Sequence, residues 1–269
     1  MRLFIFEGEA EERVFKTLKH LFMSNEHEIV CVFRSNIYAL YSRLKKHSVF
    51  ESEIANELDI VSVLNELLLE SGDYTLEPYV NEVFAEVFLF FDYDFHDKRG
   101  TLQENNNHLL EMMLYFSDET GNGKLYINYP MLEAYRYIKH IPDSDYVNYL
   151  VDIEKSMTFK RLTSEFSAYS VDHFALSESD WESKNKRDKR LVDVKKNWVG
   201  IIPMNVSKAN FICTERNELP LKKDDVCQIR IFNNQLTKYV AQEPSRVAVL
   251  SAFPLFLYEY LKPEVLSVG

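Results

Sequence analysis

The run V-F-A-E-V-F-L-F-F, from Val83 to Phe91, followed at once by Asp92-Tyr93-Asp94, decides how this chain is read. The second half of the run is wholly apolar, as expected for a strand buried on both faces of a parallel sheet. An earlier run, Leu3-Phe4-Ile5-Phe6, has the same character and stops at Glu7-Gly8. In open α/β sheets ligands gather beyond the carboxyl ends of the strands. If the two strands are neighbours, Glu7 and Asp92 converge on one point. Asp92 and Asp94 lie two apart in an extended segment, so both can face the same side.

Working outward, strand and helix patterns alternate. From Glu11, Val14, Phe15, Leu18, Leu21 and Phe22 recur at helical spacing, with acids in the first turn where the macrodipole favours them. Ile29 to Phe33 reads as a strand, and Ile37 to Lys46 and Ile54 to Leu69 as helices. Asn106 to Phe116 is helical, Lys124 to Asn128 is a short strand, and Met131 to Ile138 is a further helix. Such alternation predicts an α/β domain with a largely parallel sheet flanked by helices. Its expected extent is residues 1–140, with a helical insertion over 54–79. Residues 141–269 are expected to form a mixed, mainly helical C-terminal region for nucleic-acid or partner contact. Val247 to Leu261 reads there as a buried helix or strand pair.

The composition is that of an ordinary globular chain of 269 residues, 46% hydrophobic and 27% charged. Cys31, Cys213 and Cys227 form no C-x-x-C pair, which argues against a disulfide framework or thiolate zinc site and for a cytoplasmic location. The N-terminal residues do not read as a signal peptide, and no apolar run is long enough to span a bilayer. A net charge of −11 lacks the global footprint of an unaided nucleic-acid binder.

Two like charges closing a buried strand repel unless a cation is present. Three carboxylates from Glu7, Asp92 and Asp94 suit Mg²⁺ (or Mn²⁺), which prefers hard oxygen donors. Gly8 is expected to let the chain turn sharply beside the ligand. His96 stands in the adjoining loop, and Asp97, Lys98 and Arg99 read as a solvated turn.

F-I-F-E-G-E-A-E-E followed by F-L-F-F-D-Y-D resembles the Toprim domain of topoisomerases, primases and OLD (overcoming lysogenization defect) nucleases. The E-G-E-x-E form is most similar to the OLD-like, abortive-infection branch, which includes the Toprim subunit of the PARIS anti-phage system. The resemblance covers roughly the first ~140 residues, about one small domain. It implies a Mg²⁺-dependent nuclease acting on DNA or RNA, tRNA included, in anti-phage defence. Glu7 would then act as metal ligand or general base, with Asp92 and Asp94 binding the metal. Glu11 and Glu133, the latter in Y-P-M-L-E-A-Y, match further acidic positions of that branch.

The basic segment around Lys184, Lys186, Arg187, Lys189, Arg190, Lys195 and Lys196 is the candidate phosphate contact, set against a solvated loop. Trp181 and Trp198 flank it, and Trp198 reads more as core. A rival reading is a catalytically restrained interaction or sensor subunit docked on a defence ATPase. The state of assembly is left open, a homo-oligomer included. A haloacid-dehalogenase-type phosphotransfer enzyme ranks third, because the Glu-Gly-Glu of the first strand has no place in that pattern.

Overall fold

The computed structural model describes every residue except 24–26, 48–49, 51–59, 96, 178–179, 181–188 and 262–269. The chain forms two compact units, each drawn from two stretches: 1–12 with 26–126, and 13–25 with 127–269. This division differs from a single cut near 140. The second half of the first helix goes with the C-terminal residues, where the hydroxyl of Thr17 accepts the backbone N–H of Leu176 at 2.9 Å.

The first unit is a five-stranded, mostly parallel α/β sheet flanked by helices. Its strands are β1 (Arg2–Phe6), β2 (Glu28–Val32), β3 (Glu86–Asp92), β4 (Ser117–Asp118) and β5 (Gly123–Asn128), in the order β2-β1-β3-β5-β4. β1 lies between β2 and β3 and runs parallel to both, with Phe6 opposite Val32 on one side and Phe90 on the other. The apolar runs are buried as expected: Leu3 to Phe6 and Val87 to Phe91 are almost wholly enclosed. Their rings build a ladder across the sheet, Phe4 on Phe88 at 5.0 Å and Phe90 on Tyr126 at 5.1 Å.

The decisive strand starts at Glu86, not at Val83. Pairing begins where Arg2 opens β1 opposite Glu86, with their side chains joined in an ion pair, and Val83 lies outside the ladder, 88% exposed. At the other edge, β5 approaches β3 so closely that a Cβ on Gly123, whose φ is +121°, would stand 3.0 Å from a Leu89 methyl. Both the backbone angle and the contact demand glycine there.

The helices obey their local signals. α1 (Glu9–Phe22) carries Glu9, Glu11 and Glu12 in its first turn and Lys19 and His20 in its last. α2 (Ile37–Lys46) is capped by Asn36, whose Oδ1 accepts the N–H of Ala39 at 3.0 Å. The expected insertion is represented by α3 (Ile60–Glu70) and a 3₁₀ turn at Glu77–Tyr79, its first residues lying outside the described ones. α4 (Leu102–Tyr115) opens with a reciprocal capping box between Thr101 and Glu104.

The second unit is mixed and mainly helical. It contains the strand pair β6 (Leu150–Asp152) and β7 (Arg246–Ala248), α5 (Phe159–Phe166), α6 (Lys189–Thr214), α7 (Gln228–Gln235) and α8 (Ala252–Tyr260). Val247 to Leu261 thus divides between a strand and a helix. Met131 to Ile138 is not an α-helix but a 3₁₀ segment over Leu132–Arg136, following the Tyr129-Pro130 dipeptide.

α6 organises this unit. Leu191, Val194, Trp198, Ile201, Ile202, Val206, Ala209 and Ile212 recur at three- and four-residue intervals and are buried. Trp198 is fully enclosed between Tyr135 and Phe174 and donates its indole N–H to the Phe174 carbonyl at 2.8 Å. Gly200 lies where a Cβ would press 2.2 Å from Ile141, so the helix needs a bare backbone at that contact. Among the described residues, no helix is long and apolar enough to cross a membrane.

Candidate metal centre at the sheet end

Glu7 is the first residue past β1, and its backbone remains in the sheet. Its N–H donates to Phe90 at 3.1 Å, and its carbonyl accepts the N–H of Arg34 at 2.9 Å. The side chain then reaches towards the neighbouring strand, where Oε2 accepts the backbone N–H of Asp92 at 3.0 Å. The two strand ends meet because β1 and β3 are adjacent and parallel. Burial pushes the Glu7 carboxyl up to about 8, reinforced by the negative charges of Glu11 and Asp94 and opposed by the Asp92 N–H.

Glu11 is 5% exposed, one turn into α1, and its Oε2 accepts the N–H of Gly8 at 3.1 Å. Gly8 is not among the residues with positive φ, so its contribution is space: a Cβ there would sit 3.1 Å from that carboxylate oxygen.

Past β3 the alternation continues. Asp92 and Asp94 are half-buried, while Tyr93 and Phe95 between and beyond them are 1% and 4% exposed. The two aspartates share one face while the rings anchor the other, and the Tyr93 hydroxyl donates to Asn106 at 2.6 Å. Successive N–H groups of Asp94 and Phe95 donate to the carbonyls two residues back, both at 3.0 Å, so the segment turns tightly on leaving the sheet.

Asn36 ties this turn to α2. While its carbonyl caps the helix, its amide nitrogen donates to Asp94 Oδ2 at 2.8 Å and to Asp97 Oδ2 at 2.6 Å. Arg99 donates to Asn36 Oδ1 at 3.0 Å. The expectation of a solvated turn at Asp97 is therefore corrected. Its side chain is only 8% exposed, because Asn36 and the backbone of Arg99 supply it with donors. His96 lies outside the described residues.

Sequence reasoning also passed over Arg34. It sits just beyond β2 with φ of 56°, in the left-handed region that a non-glycine residue seldom adopts. Its guanidinium pairs with Asp73 at 3.2 Å and approaches Glu9 at 3.7 Å. The signal was slight: Arg34 and Asn36 follow an apolar strand in a polar triad that reads as a simple helix start.

The set Glu7, Glu11, Asp92 and Asp94 offers only hard oxygen donors, and the Glu7 carboxyl is raised first by burial and then by the charges of Glu11 and Asp94. Its chemistry fits Mg²⁺ or Mn²⁺. Among the described residues, however, no three His, Cys, Asp or Glu side chains already stand in metal-holding geometry. Carboxylate oxygens of Glu7, Glu11 and Asp94 instead accept from Asp92, Gly8 and Asn36.

The remaining predicted residues fall in the second unit. Glu133 lies in the 3₁₀ segment and faces Lys160 at 3.7 Å. Lys184, Lys186, Arg187 and Trp181 lie outside the described residues. Lys189 is exposed at the start of α6, whereas Arg190 donates to the Ala175 carbonyl at 3.0 Å and approaches Asp180 at 3.9 Å. Trp198 is core, as its apolar neighbours suggested. No family model, curated protein or solved structure matches this chain.

Proposed function

We infer that the chain is a Toprim-type, Mg²⁺-dependent nuclease that hydrolyses phosphodiester bonds in DNA or RNA, tRNA included, as an anti-phage or abortive-infection effector. The carrying observation is the hydrogen bond from the Asp92 N–H to Glu7 across adjacent parallel strands, which brings both acidic motifs to one sheet end. The mostly parallel sheet and the order of the motifs support the same reading.

Asp92 and Asp94 would hold the metal, with Glu11, whose charge acts on Glu7, as a further acid. A bound Mg²⁺ or Mn²⁺ supplies positive charge that polarises a phosphate and stabilises a leaving oxygen. Glu7 serves as general base. Burial raises its carboxyl in the metal-free protein; in its ionised form, which a neighbouring cation favours, it takes a proton from water as that oxygen attacks phosphorus and the P–O bond to the leaving group breaks. Asn36 fixes the orientation of Asp94.

The test is cleavage of DNA, RNA and tRNA with Mg²⁺ or Mn²⁺ by wild type, Glu7→Gln and Asp92→Asn. Metal-dependent cleavage that falls by roughly a thousandfold in either variant supports the enzyme. A second reading, a restrained subunit docked on a defence ATPase, is favoured by the internal engagement of the carboxylates. Absence of cleavage under every condition, with ATPase binding unchanged in the variants, establishes that reading over the first.

A further inference from the structure

Among the described residues, Arg136 in the second unit is a buried cation with no paired anion. It closes the 3₁₀ segment Leu132–Arg136 and is only 4% exposed. Its two hydrogen-bond acceptors are neutral: the Tyr169 carbonyl at 3.4 Å from Nη1 and the Ser164 hydroxyl at 3.2 Å from Nη2. Its Nε–H is enclosed and has no acceptor. Among the described residues no carboxylate forms an ion pair with it. A guanidinium has five N–H donors in a rigid fork, and an enclosed charge left without a counter-charge is costly.

The fork borders an open cavity of about 440 Å³, within the range of small-molecule sites. The wall is built around it. Ser167 donates to the carbonyls of Arg136 and Ile138 and accepts the N–H of Tyr169, which fastens the loop to the arginine's own backbone. His173, also in the wall, accepts the Ser170 N–H on Nδ1 at 3.0 Å, so its neutral form carries its proton on Nε2. Among the described residues, Asp172 is the one acid lining the cavity, and it is exposed to solvent.

We propose that this cavity is a phosphate-binding site whose anchor is the Arg136 guanidinium and whose ligand is the terminal phosphomonoester of a nucleotide. Planar guanidinium forks match phosphate oxygens bidentately, and this one has unused donors and no internal anion. Tyr169 and His173 place rings on the wall, 5.4 Å apart at right angles, beside the space a nucleoside would fill.

Isothermal titration of the full chain in EDTA, at fixed ionic strength, tests the proposal independently of any metal-dependent cleavage. The probes are inorganic phosphate, AMP, adenosine, acetate, and an oligonucleotide with and without a 5′-phosphate. Binding of phosphate and AMP, with adenosine inert, is the expected result. Arg136→Gln should weaken AMP roughly tenfold or more, and Arg136→Lys should restore only part. His173→Ala, at an exposed wall position, should weaken AMP several-fold and serves if the arginine variants fail to fold. Preference for AMP identifies a free nucleotide, and 5′-phosphate-dependent oligonucleotide binding a strand end; either supports the site. Millimolar phosphate and AMP without heat or competition in the wild type, or acetate binding as well as phosphate, overturns it.

Discussion

Each unit encloses an ionisable group whose charged form burial disfavours, and the two do so differently. In the first, Glu7 sits at a strand end among other acids, its carboxyl raised to about 8. In the second, Lys208 of α6 is completely enclosed, which holds its ammonium well below the ordinary lysine range. The lysine is closed off by its own chain: Nζ donates to the carbonyls of Tyr146 and Tyr149 at 2.8 and 2.7 Å and lies 4.6 Å from the Tyr146 ring centroid. Desolvation is the common cause, but the neighbours separate the roles. Lys208 is closed off by acceptors, whereas Glu7 has one donor, the Asp92 N–H, and two acids, Glu11 and Asp94, whose charges raise its carboxyl further.

The largest test of this contrast is Lys208→Met. Removing the amine takes one of two donors from each carbonyl, leaving Tyr146 only the Tyr149 N–H and Tyr149 only the Val249 N–H, an expected loss of about 3 kcal/mol in urea unfolding at pH 9. Because the folded pKa is lowered, the unfolded chain binds more protons, and wild-type stability rises with pH through the window between the folded value and 10.5. The deficit of the variant should therefore shrink as pH falls.

Glu7→Gln tests the opposite slope. A raised carboxyl binds its proton more tightly in the fold, so the metal-free protein gains most below 4.5 and loses that gain as pH rises towards 8. Unfolding at pH 5 and pH 8.5 should show the variant gaining on wild type by on the order of 2 kcal/mol at the higher pH. A flat difference would mean that burial and the neighbouring acids do not raise the Glu7 carboxyl.

Asn36→Ala is the mildest change. Loss of the α2 cap and of the amide shared by Asp94 and Asp97 should cost about 1 kcal/mol by thermal unfolding. Asn36→Asp keeps the cap but adds a negative charge beside Asp94, so it separates helix capping from support of the aspartates.

The sheet end was legible because its determinants are local: an apolar run, a stop and an acid. Alternation even predicted that Asp92 and Asp94 share a face, which the buried Tyr93 and Phe95 bear out. Asn36 escaped notice because its second task depends on residues 58 and 61 positions away. α6 was obscured by Gly200 and Pro203, which read as punctuation in a sequence yet lie inside one continuous helix of 26 residues. Gly200 is there for the Ile141 contact, a fact no periodicity contains. Arg136 was equally hidden: in sequence it is one basic residue among many, and only its enclosure without an acid sets it apart.

The boundary between the units falls within α1 and within β5, so neither part of the gene encodes a complete unit. A fragment starting at Ile127 would lack Thr17, the acceptor for Leu176, and Phe22, whose ring lies 5.7 Å from Lys195 Nζ. Dissection by simple truncation therefore removes an internal support from the very part it is meant to isolate. Circular permutation or supplying residues 13–25 in trans respects the architecture better, because it keeps every unit's two stretches together.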